Sequence, residues 1–320
     1  MTTIDDIREA AARIAGHVHR TPVMTSATLD DELGAQVFVK CENLQKIGAF
    51  KARGACNAVM ALSDTAAARG VVTHSSGNHA AALAYAARTR GIPAYVVMPD
   101  SAPQVKVDAV YGYGAELRFC KAAERQATCD AWQAETGAAL VHPFEDPMVI
   151  AGQGTAALEL LEQVPDLDVV IVPVGGGGLC SGAAVVVREL LPAARVLAAE
   201  PDEVDDAARS MATGVRQPRV EDPKTLGDGL MTALGAPNFA LLRRHSVEVV
   251  TCSEQAMVDA SRFFLQRMKI AVEPSGATVL ASIRKIADEV CGKRVGMIVT
   301  GGNTDFRWLF GPEDPALRSN

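Results

Sequence analysis

Short apolar runs alternate along this chain with longer segments in which apolar residues recur at helical spacing. The run Asp168–Val174 is almost continuously apolar, as expected for a strand covered on both faces. The alanine-rich segment Asn78–Arg90 ends at Gly91, which is typical of a helix with a C-terminal glycine. Further strands are predicted over residues 37–39, 71–73, 94–98, 116–119, 196–199, 247–250 and 295–299. This alternation predicts an α/β fold in which parallel sheets are flanked by helices.

Helical spacing also predicts where the remaining helices lie and where the chain divides. The first helix covers residues 4–14, with Thr3 as its N-cap. Others are predicted over residues 51–62, 122–136, 154–164, 180–191, 253–268 and 275–290. The segment around Gly70 and the segment Pro143–Pro147 are the expected boundaries between two domains.

Composition narrows the class of protein. Hydrophobic residues make up 48% and aromatic residues only 5%, so the core must consist mainly of alanine, valine, leucine and isoleucine. A net charge of −7 argues against a nucleic-acid or anionic-membrane surface. The seven cysteines form no C-x-x-C pair, and no signal peptide or membrane-spanning run is evident. We therefore expect a reduced protein in the cytoplasm, without nucleic-acid or membrane partners.

Lys51 is unusual because its neighbours in sequence, Ala49, Phe50 and Ala52, are all apolar. A lysine in a partly dry site has a lowered pKa, since desolvation disfavours the ammonium ion. Such a lysine can act as a nucleophile and form a Schiff base. Taken alone, a lysine at the start of a helix that extends to solvent is the simpler interpretation.

A run of four glycines, Gly175 to Gly178, lies between the apolar strand and a predicted helix. Backbone amides in such a loop can converge on an anion, and the helix dipole favours negative charge there. The run matches neither a Walker loop nor the G-x-G-x-x-G pattern, so we interpret it as a phosphate cup. A turn that needs glycine only for tight packing is the alternative.

The polar segment Thr73–His79 ends a strand and opens a helix. Its serine and asparagine residues could simply cap the helix. A reactive lysine, a separate phosphate cup and this polar loop together indicate a cofactor that bears a phosphate and binds lysine covalently. Pyridoxal phosphate has both properties.

These motifs, in this order, resemble those of the fold-type II pyridoxal-phosphate enzymes, specifically the serine racemase and serine/threonine dehydratase family. The resemblance covers nearly the whole chain. It implies the two-domain fold of the tryptophan synthase β-subunit. Residues 1–69 and 147–320 would form a large cofactor-binding domain, and residues 70–146 a small domain that closes over the substrate.

The resemblance also implies roles for single residues. Lys51 corresponds to the lysine that binds the cofactor and removes the Cα proton, and Ser76 to the serine on the opposite face of the substrate. The residues expected to bind the cofactor are Phe50, Lys51, Asn78, Gly175, Gly176, Gly177, Gly178, Leu179, Glu273 and Thr300. The residues expected to contact the substrate are Ser75, Ser76, Gly77, His79, Arg125 and Thr232.

A divalent cation is a further implication of the resemblance. Its expected ligands are Glu200, the carbonyl of Val204, and Asp206. Hard oxygen donors of this kind suit Mg²⁺ or Ca²⁺, and Mn²⁺ is a third possibility. The alternative is a solvated acidic helix start.

The implied activity is a dehydratase that converts serine, threonine or 3-hydroxyaspartate into a 2-oxo acid and ammonia. Arg125 would pair with a second substrate carboxylate, or else lie on a helix surface. Serine racemisation is the main alternative, although Phe144 departs from the asparagine of animal serine racemases. A β-replacing amino-acid synthase and a silent cofactor-binding protein are further alternatives. A homodimer is implied as well.

Overall fold

The computed structural model describes residues 1–75, 77–102 and 104–310, and its strands form two separate sheets. The strands are β1 (Val23–Met24), β2 (Gln36–Cys41), β3 (Val71–His74), β4 (Ala94–Pro99), β5 (Glu116–Cys120), β6 (Ala139–Leu140), β7 (Val169–Pro173), β8 (Arg195–Pro201), β9 (Glu248–Cys252) and β10 (Arg294–Val299). The large sheet has the order β1-β2-β10-β7-β8-β9, and the small sheet has the order β5-β4-β3-β6. All neighbouring strands are parallel except β1, which is antiparallel to β2.

Helices cover the sheets and connect their strands. They are α1 (Ile4–Ile14), α2 (Ala27–Leu33), α3 (Lys51–Ala61), α4 (Asp64–Ala67), α5 (Asn78–Arg90), α6 (Gln104–Gly112), α7 (Arg125–Thr136), α8 (Pro147–Gln163), α9 (Gly178–Leu190), α10 (Asp206–Thr213), α11 (Ala236–Arg244), α12 (Glu254–Phe263), α13 (Pro274–Lys285), α14 (Ala287–Val290) and α15 (Arg307–Phe310). The predicted α/β class with parallel sheets flanked by helices is confirmed.

Most predicted elements are present, with differences at their ends. Thr3 is the N-cap of α1 as expected, and the structure adds a capping box in which Thr3 and Asp6 exchange hydrogen bonds. The predicted helix over 122–136 is wrong in its first turn, which is a 3-10 turn. The helix over 253–268 ends as a π-helix, and the helix over 275–290 breaks at Ile286. No glycine or proline marks these changes, so the sequence pattern carries no signal for them.

Three helices, α3, α8 and α9, approach one another closely at glycines. A Cβ atom on Gly152 of α8 would lie 2.6 Å from the Cα of Gly54 in α3. A Cβ atom on Gly182 of α9 would lie 2.7 Å from the Cα of Gly154 in α8. Because neither helix could approach α8 so closely with larger residues, α3 and α9 pack on opposite sides of one helix.

A buried ion network joins α3 to the large sheet and to α8. The guanidinium of Arg53 contacts Glu42 at 2.7 Å and Glu159 at 2.8 Å. The Nζ of Lys40 in β2 also contacts Glu159, at 2.7 Å. Arg53, Glu42 and Lys40 have no solvent exposure, so each buried charge depends on its partners.

The two sheets are formed by different parts of the chain. The small sheet uses residues between Val71 and Leu140, and the large sheet uses strands on both sides of that segment. The exact domain boundaries at 69/70 and 146/147 stay a prediction. Within the described ranges, no helix is both long and apolar enough to cross a membrane.

Candidate active site

A cavity of about 200 Å³ lies at the carboxyl ends of parallel strands from both sheets. Ser75 follows β3, Gly175 follows β7 and Thr300 follows β10, and all three line the cavity. Loops at this edge of a parallel sheet are the usual place for a ligand site in α/β proteins. The cavity therefore brings together segments that are far apart in sequence.

Lys51, the first residue of α3, lines this cavity and is half-buried. Its Nζ donates a hydrogen bond to the carbonyl of Pro143 at 2.8 Å and lies 5.1 Å from the centre of the Phe50 ring. Burial lowers the pKa of Lys51 from 10.5 to about 8. At a given pH the amine is therefore neutral far more often than that of an ordinary lysine.

The glycine run forms the loop between β7 and α9. A Cβ atom on Gly176 would lie 2.3 Å from the Phe144 ring, and one on Gly175 would lie 2.9 Å from the Cα of Leu230. Gly177 has a φ of +89°, which side chains rarely adopt. Among the described residues, no acceptor is bonded to the amides of Gly176, Gly177 or Gly178. The loop therefore presents donors at the N-terminus of α9 and has no room for side chains.

Asn78, Glu273 and Thr300 lie on the same wall of the cavity. The amide of Asn78 donates to Glu273 at 2.8 Å and accepts from Asn303 at 2.9 Å. Burial raises the pKa of Glu273 to about 7, and its Oε2 has no hydrogen-bond partner among the described residues. This wall thus holds an amide, a shielded carboxyl group and a hydroxyl side chain.

Comparison with known proteins identifies the family. The family model described as "Pyridoxal-phosphate dependent enzyme" matches residues 14–301. This chain belongs to the pyridoxal-phosphate dependent enzymes. It is 49% identical over 307 residues to a beta-hydroxyaspartate dehydratase from Paracoccus denitrificans, covering 95% of this chain and 96% of that protein. The resemblance inferred from the motifs is confirmed at this level.

Solved structures of related enzymes share the whole fold. A maize serine racemase superimposes with a TM-score of 0.93 at 46% identity, covering 96% of this chain and 95% of its own. A threonine deaminase from T.th. superimposes with a TM-score of 0.91 at 43% identity, covering 95% of this chain and 99% of its own. The predicted fold-type II architecture is therefore confirmed.

The residues of this enzyme fit pyridoxal phosphate. The amides of the glycine loop have no acceptor in the described part of the chain and can bind an anion. The Cβ positions of Gly175 and Gly176 are closed by Leu230 and Phe144, so no side chain competes for the space. Lys51 places an amine of lowered pKa in the same cavity. The unpaired Oε2 of Glu273 is a shielded polar atom that a bound group could satisfy. The individual cofactor contacts stay predictions.

The predicted substrate loop is only partly described. Ser76 lies outside the described residues. Ser75 and Gly77 line the cavity, and the Gly77 amide donates to the Ser75 hydroxyl at 3.3 Å. His79 is buried, its Nε2 lies 3.1 Å from the carbonyl of Val141, and burial lowers its pKa to about 3. His79 is therefore neutral near pH 7 and is held by the backbone of the small sheet.

Arg125 and Thr232 also line the cavity. The Nε of Arg125 donates to the carbonyl of Ala122 at 3.1 Å, which leaves its two terminal nitrogens without a partner among the described residues. Desolvation and the charge of Arg219 lower the pKa of Arg125. Both effects indicate an arginine that would gain from an anionic ligand.

The predicted metal ligands follow β8. Glu200 is buried, and its two oxygens accept from the amides of Ala207 and Ala208 at 2.9 and 2.8 Å. Asp206 is also buried and accepts from the amide of Leu234 at 2.9 Å. In the described part of the chain, no three His, Cys, Asp or Glu side chains are grouped to hold a metal ion. A site completed by the carbonyl of Val204 stays a prediction.

Several cavity residues escaped the sequence analysis, because only folding brings them there. They are His74, Lys106, Pro143, Asp228, Leu230 and Ser275. Two signals were available: His74 lies within the polar segment Thr73–His79, and Ser275 lies two residues after Glu273. The sequence around Lys106 carries no chemical motif.

Proposed function

We propose that this enzyme is a dehydratase that converts a small β-hydroxy amino acid into a 2-oxo acid and ammonia. Serine, threonine and 3-hydroxyaspartate are the substrates considered. The observation that carries the proposal is the Lys51 amine of lowered pKa, which shares one cavity with the glycine loop. The names of its relatives, a beta-hydroxyaspartate dehydratase and a threonine deaminase, support the reaction class.

Lys51 would carry out the proton transfer. Pyridoxal phosphate, when bound, supplies a conjugated ring that stabilises the electron pair left at the substrate Cα. The Lys51 amine would take the Cα proton, and its lowered pKa favours the neutral form that this step needs. The β-hydroxyl group would then leave with one proton as water, and the resulting product would take up one water to give the 2-oxo acid and ammonia.

The other cavity residues would bind and orient the cofactor and the substrate. The amides of Gly176 to Gly178 would hold the phosphate, with Leu179 beginning the first turn of α9. Asn78 would donate to the phenolic oxygen, and Thr300 would place a hydroxyl at the pyridine nitrogen. Ser75 and Gly77 would receive the substrate carboxylate.

Serine racemisation is the second candidate function. The 46% identity to the maize serine racemase supports it. In that reaction Ser76 would return a proton to Cα from the face opposite Lys51. Both reactions share the first proton transfer, so the product ratio separates them.

We also propose a divalent cation at Glu200, the Val204 carbonyl and Asp206. Two buried carboxyl groups and a carbonyl are the hard oxygen donors that Mg²⁺ and Ca²⁺ prefer. Chelation should lower the thermal unfolding midpoint of the enzyme, and added Mg²⁺ or Ca²⁺ should restore it. An unchanged thermal unfolding midpoint after exhaustive chelation would contradict the proposed cation site.

The central experiment combines labelling with a substrate panel. Borohydride reduction of the holoenzyme, followed by peptide mapping, should place the reduced cofactor on Lys51. Keto-acid release and chiral analysis of residual serine should then be measured for serine, threonine and 3-hydroxyaspartate. Lys51→Ala should abolish both activities, whereas the exposed control Lys121→Ala should change neither. Labelling at another lysine, or no keto acid from any substrate, would contradict the proposal.

We also propose that the enzyme is a homodimer and that it is located in the cytoplasm. The homodimer fits the family resemblance. The cytoplasm fits an acidic sequence whose seven cysteines form no C-x-x-C pair. Light scattering on the purified enzyme tests the dimer directly, and a monomer mass would reject it.

A further inference from the structure

An ion pair spans the cavity between the two parts of the fold. Lys106 lies on α6, which packs on α5 beside the small sheet. Asp228 begins a 3-10 turn that is joined to α13, because the amide of Gly229 donates to Ser275 at 3.0 Å. The Nζ of Lys106 contacts the Oδ2 of Asp228. Both residues line the same cavity as Lys51.

Lys106 also supports the loop expected to receive the substrate. A Cβ atom on Gly77 would lie 3.3 Å from the Nζ of Lys106 and 3.4 Å from its Cδ. The side chain is only 9% exposed, so its ammonium is largely removed from water and depends on Asp228 for compensation. The position of the Gly77 backbone is therefore tied to the Lys106–Asp228 contact.

A second bridge crosses at the same edge. Asn78, the residue after Gly77, donates to Glu273 on the large-sheet side at 2.8 Å. The charge of Lys106 favours the ionised form of Glu273, whereas Asp228 opposes it. Lys106 thus supplies positive charge between two carboxyl groups that belong to the other side of the cavity.

We propose that Lys106 is a positioning residue. Through Asp228 it holds the Gly77 backbone against the large-sheet side, so that the substrate is held in place and water is kept from Lys51. Lys106 acts through Gly77 and Asp228 and takes no part in the proton transfer, and the inference rests on the proposed reaction.

Three variants test this role: Lys106→Met, which keeps the length of the stem, Asp228→Asn, and the double variant. Each single change should raise KM for the amino-acid substrate about tenfold, with a smaller change in kcat. Holoenzyme absorbance should stay close to that of the unmodified enzyme. The denaturation midpoint should fall in Asp228→Asn, which leaves the buried ammonium of Lys106 without its partner, so KM is measured at a temperature at which every variant is folded. The double variant should be no more than about threefold worse than the poorer single variant, because both changes break one contact.

The control is Arg284→Met, which breaks an ion pair away from the cavity, Arg284 with Glu32, whose carboxylate is as exposed as that of Asp228. It should leave KM unchanged. If Lys106→Met fails to fold, the Asp228→Asn variant tests the proposal instead. The Asp228 side chain is 39% exposed, so its substitution disturbs the fold less. Unchanged KM in a variant that retains its cofactor, or single effects that multiply in the double variant, would overturn the proposal. A protein that releases no keto acid in any form would instead reject the proposed function.

Discussion

At the scale of single residues, Lys51 differs from a surface lysine because of where its helix begins. The chain enters α3 at this residue, so the side chain projects from a helix N-terminus into the cavity instead of along a solvated face. Burial then lowers its pKa to about 8. The same residue in solvent would be protonated almost completely at neutral pH.

The lowered pKa of Lys51 predicts how cofactor attachment depends on pH. The neutral amine is the reactive form, and its fraction rises as pH increases toward the pKa of about 8. Attachment of pyridoxal phosphate to the apoenzyme should therefore speed up about tenfold per pH unit below that value and level off above it. Stopped-flow absorbance measures this rate, with N-acetyl-lysine methyl ester as the control amine. A rate that keeps rising toward pH 10 would contradict the lowered pKa.

The terminal nitrogens of Arg125, which have no partner in residues 1–75, 77–102 and 104–310, predict substrate preference. If these nitrogens bind a second carboxylate, Arg125→Ala should raise KM for 3-hydroxyaspartate by about tenfold or more and leave KM for serine within about threefold. Steady-state keto-acid assays on both substrates measure the split. Arg118→Ala, an exposed arginine of the small sheet, is the control and should affect neither substrate. Equal changes for both substrates would remove the specificity role of Arg125.

At the scale of elements, glycines allow three helices to pack closely beside the cavity. The contacts of Gly54 with Gly152 and of Gly154 with Gly182 let α3, α8 and α9 approach closely. Both α3 and α9 therefore direct their N-termini at the cavity, one with Lys51 and the other with the glycine loop. The site is a product of helix packing as much as of its own residues.

The closeness of Phe144 to Gly176 predicts a loss of cofactor binding in Gly176→Ala. The added methyl group would lie 2.3 Å from the Phe144 ring, so either the loop or the ring must move. We expect the dissociation constant for pyridoxal phosphate to rise about tenfold or more, because displaced amides no longer converge on the phosphate. Equilibrium dialysis of the cofactor measures this constant.

Gly112→Ala is the matched control for that change. It places the same methyl group at the end of α6, where nothing lies within 4 Å. It should leave cofactor binding unchanged. Equal affinity in Gly176→Ala and the unmodified enzyme would contradict the role of the loop as a closed cup.

At the scale of the whole molecule, the buried ion network holds α3 in place. Arg53 lies two residues after Lys51 and connects to Glu42 before α3 and to Glu159 in α8. A guanidinium buried this way is costly unless all its partners are present. The network therefore connects the position of Lys51 to the large sheet and to α8.

Removal of Arg53 should destabilise the protein strongly. Arg53→Met leaves the carboxylates of Glu42 and Glu159 without their main partner and should cost about 3–5 kcal/mol of unfolding free energy. Urea denaturation of the holoenzyme measures the loss. Arg118→Met, which breaks the exposed pair with Glu135, is the control and should barely move the urea midpoint, because water screens that pair. A loss of similar size in both variants would show that the network adds no stability beyond a surface pair.

Prediction from sequence was most successful where local pattern dictates structure. The strands around Val169–Pro173 and the helix after Asn78 have unmistakable periodicity, and Thr3 is followed by the Asp6 that completes its capping box. The hydrophobic pattern of the sequence did not predict the break of the helix at Ile286 or the π-helix at Phe264–Met268. Those changes depend on how helices pack, which a single segment does not record.

Neighbouring residues alone were enough to establish the α/β class, the family, and the motifs at Lys51, at Asn78 and at Gly175–Gly178. The class follows from periodicity and the motifs from the chemistry of short runs, whereas the family was inferred from the resemblance of those motifs, in their order, to known enzymes. The contact of Lys106 with Asp228 and the closure of the glycine loop by Phe144 became visible only in the folded chain. Lys106 and Asp228 are 122 positions apart, and their contact depends on how the segments around the two sheets pack, which no local pattern encodes.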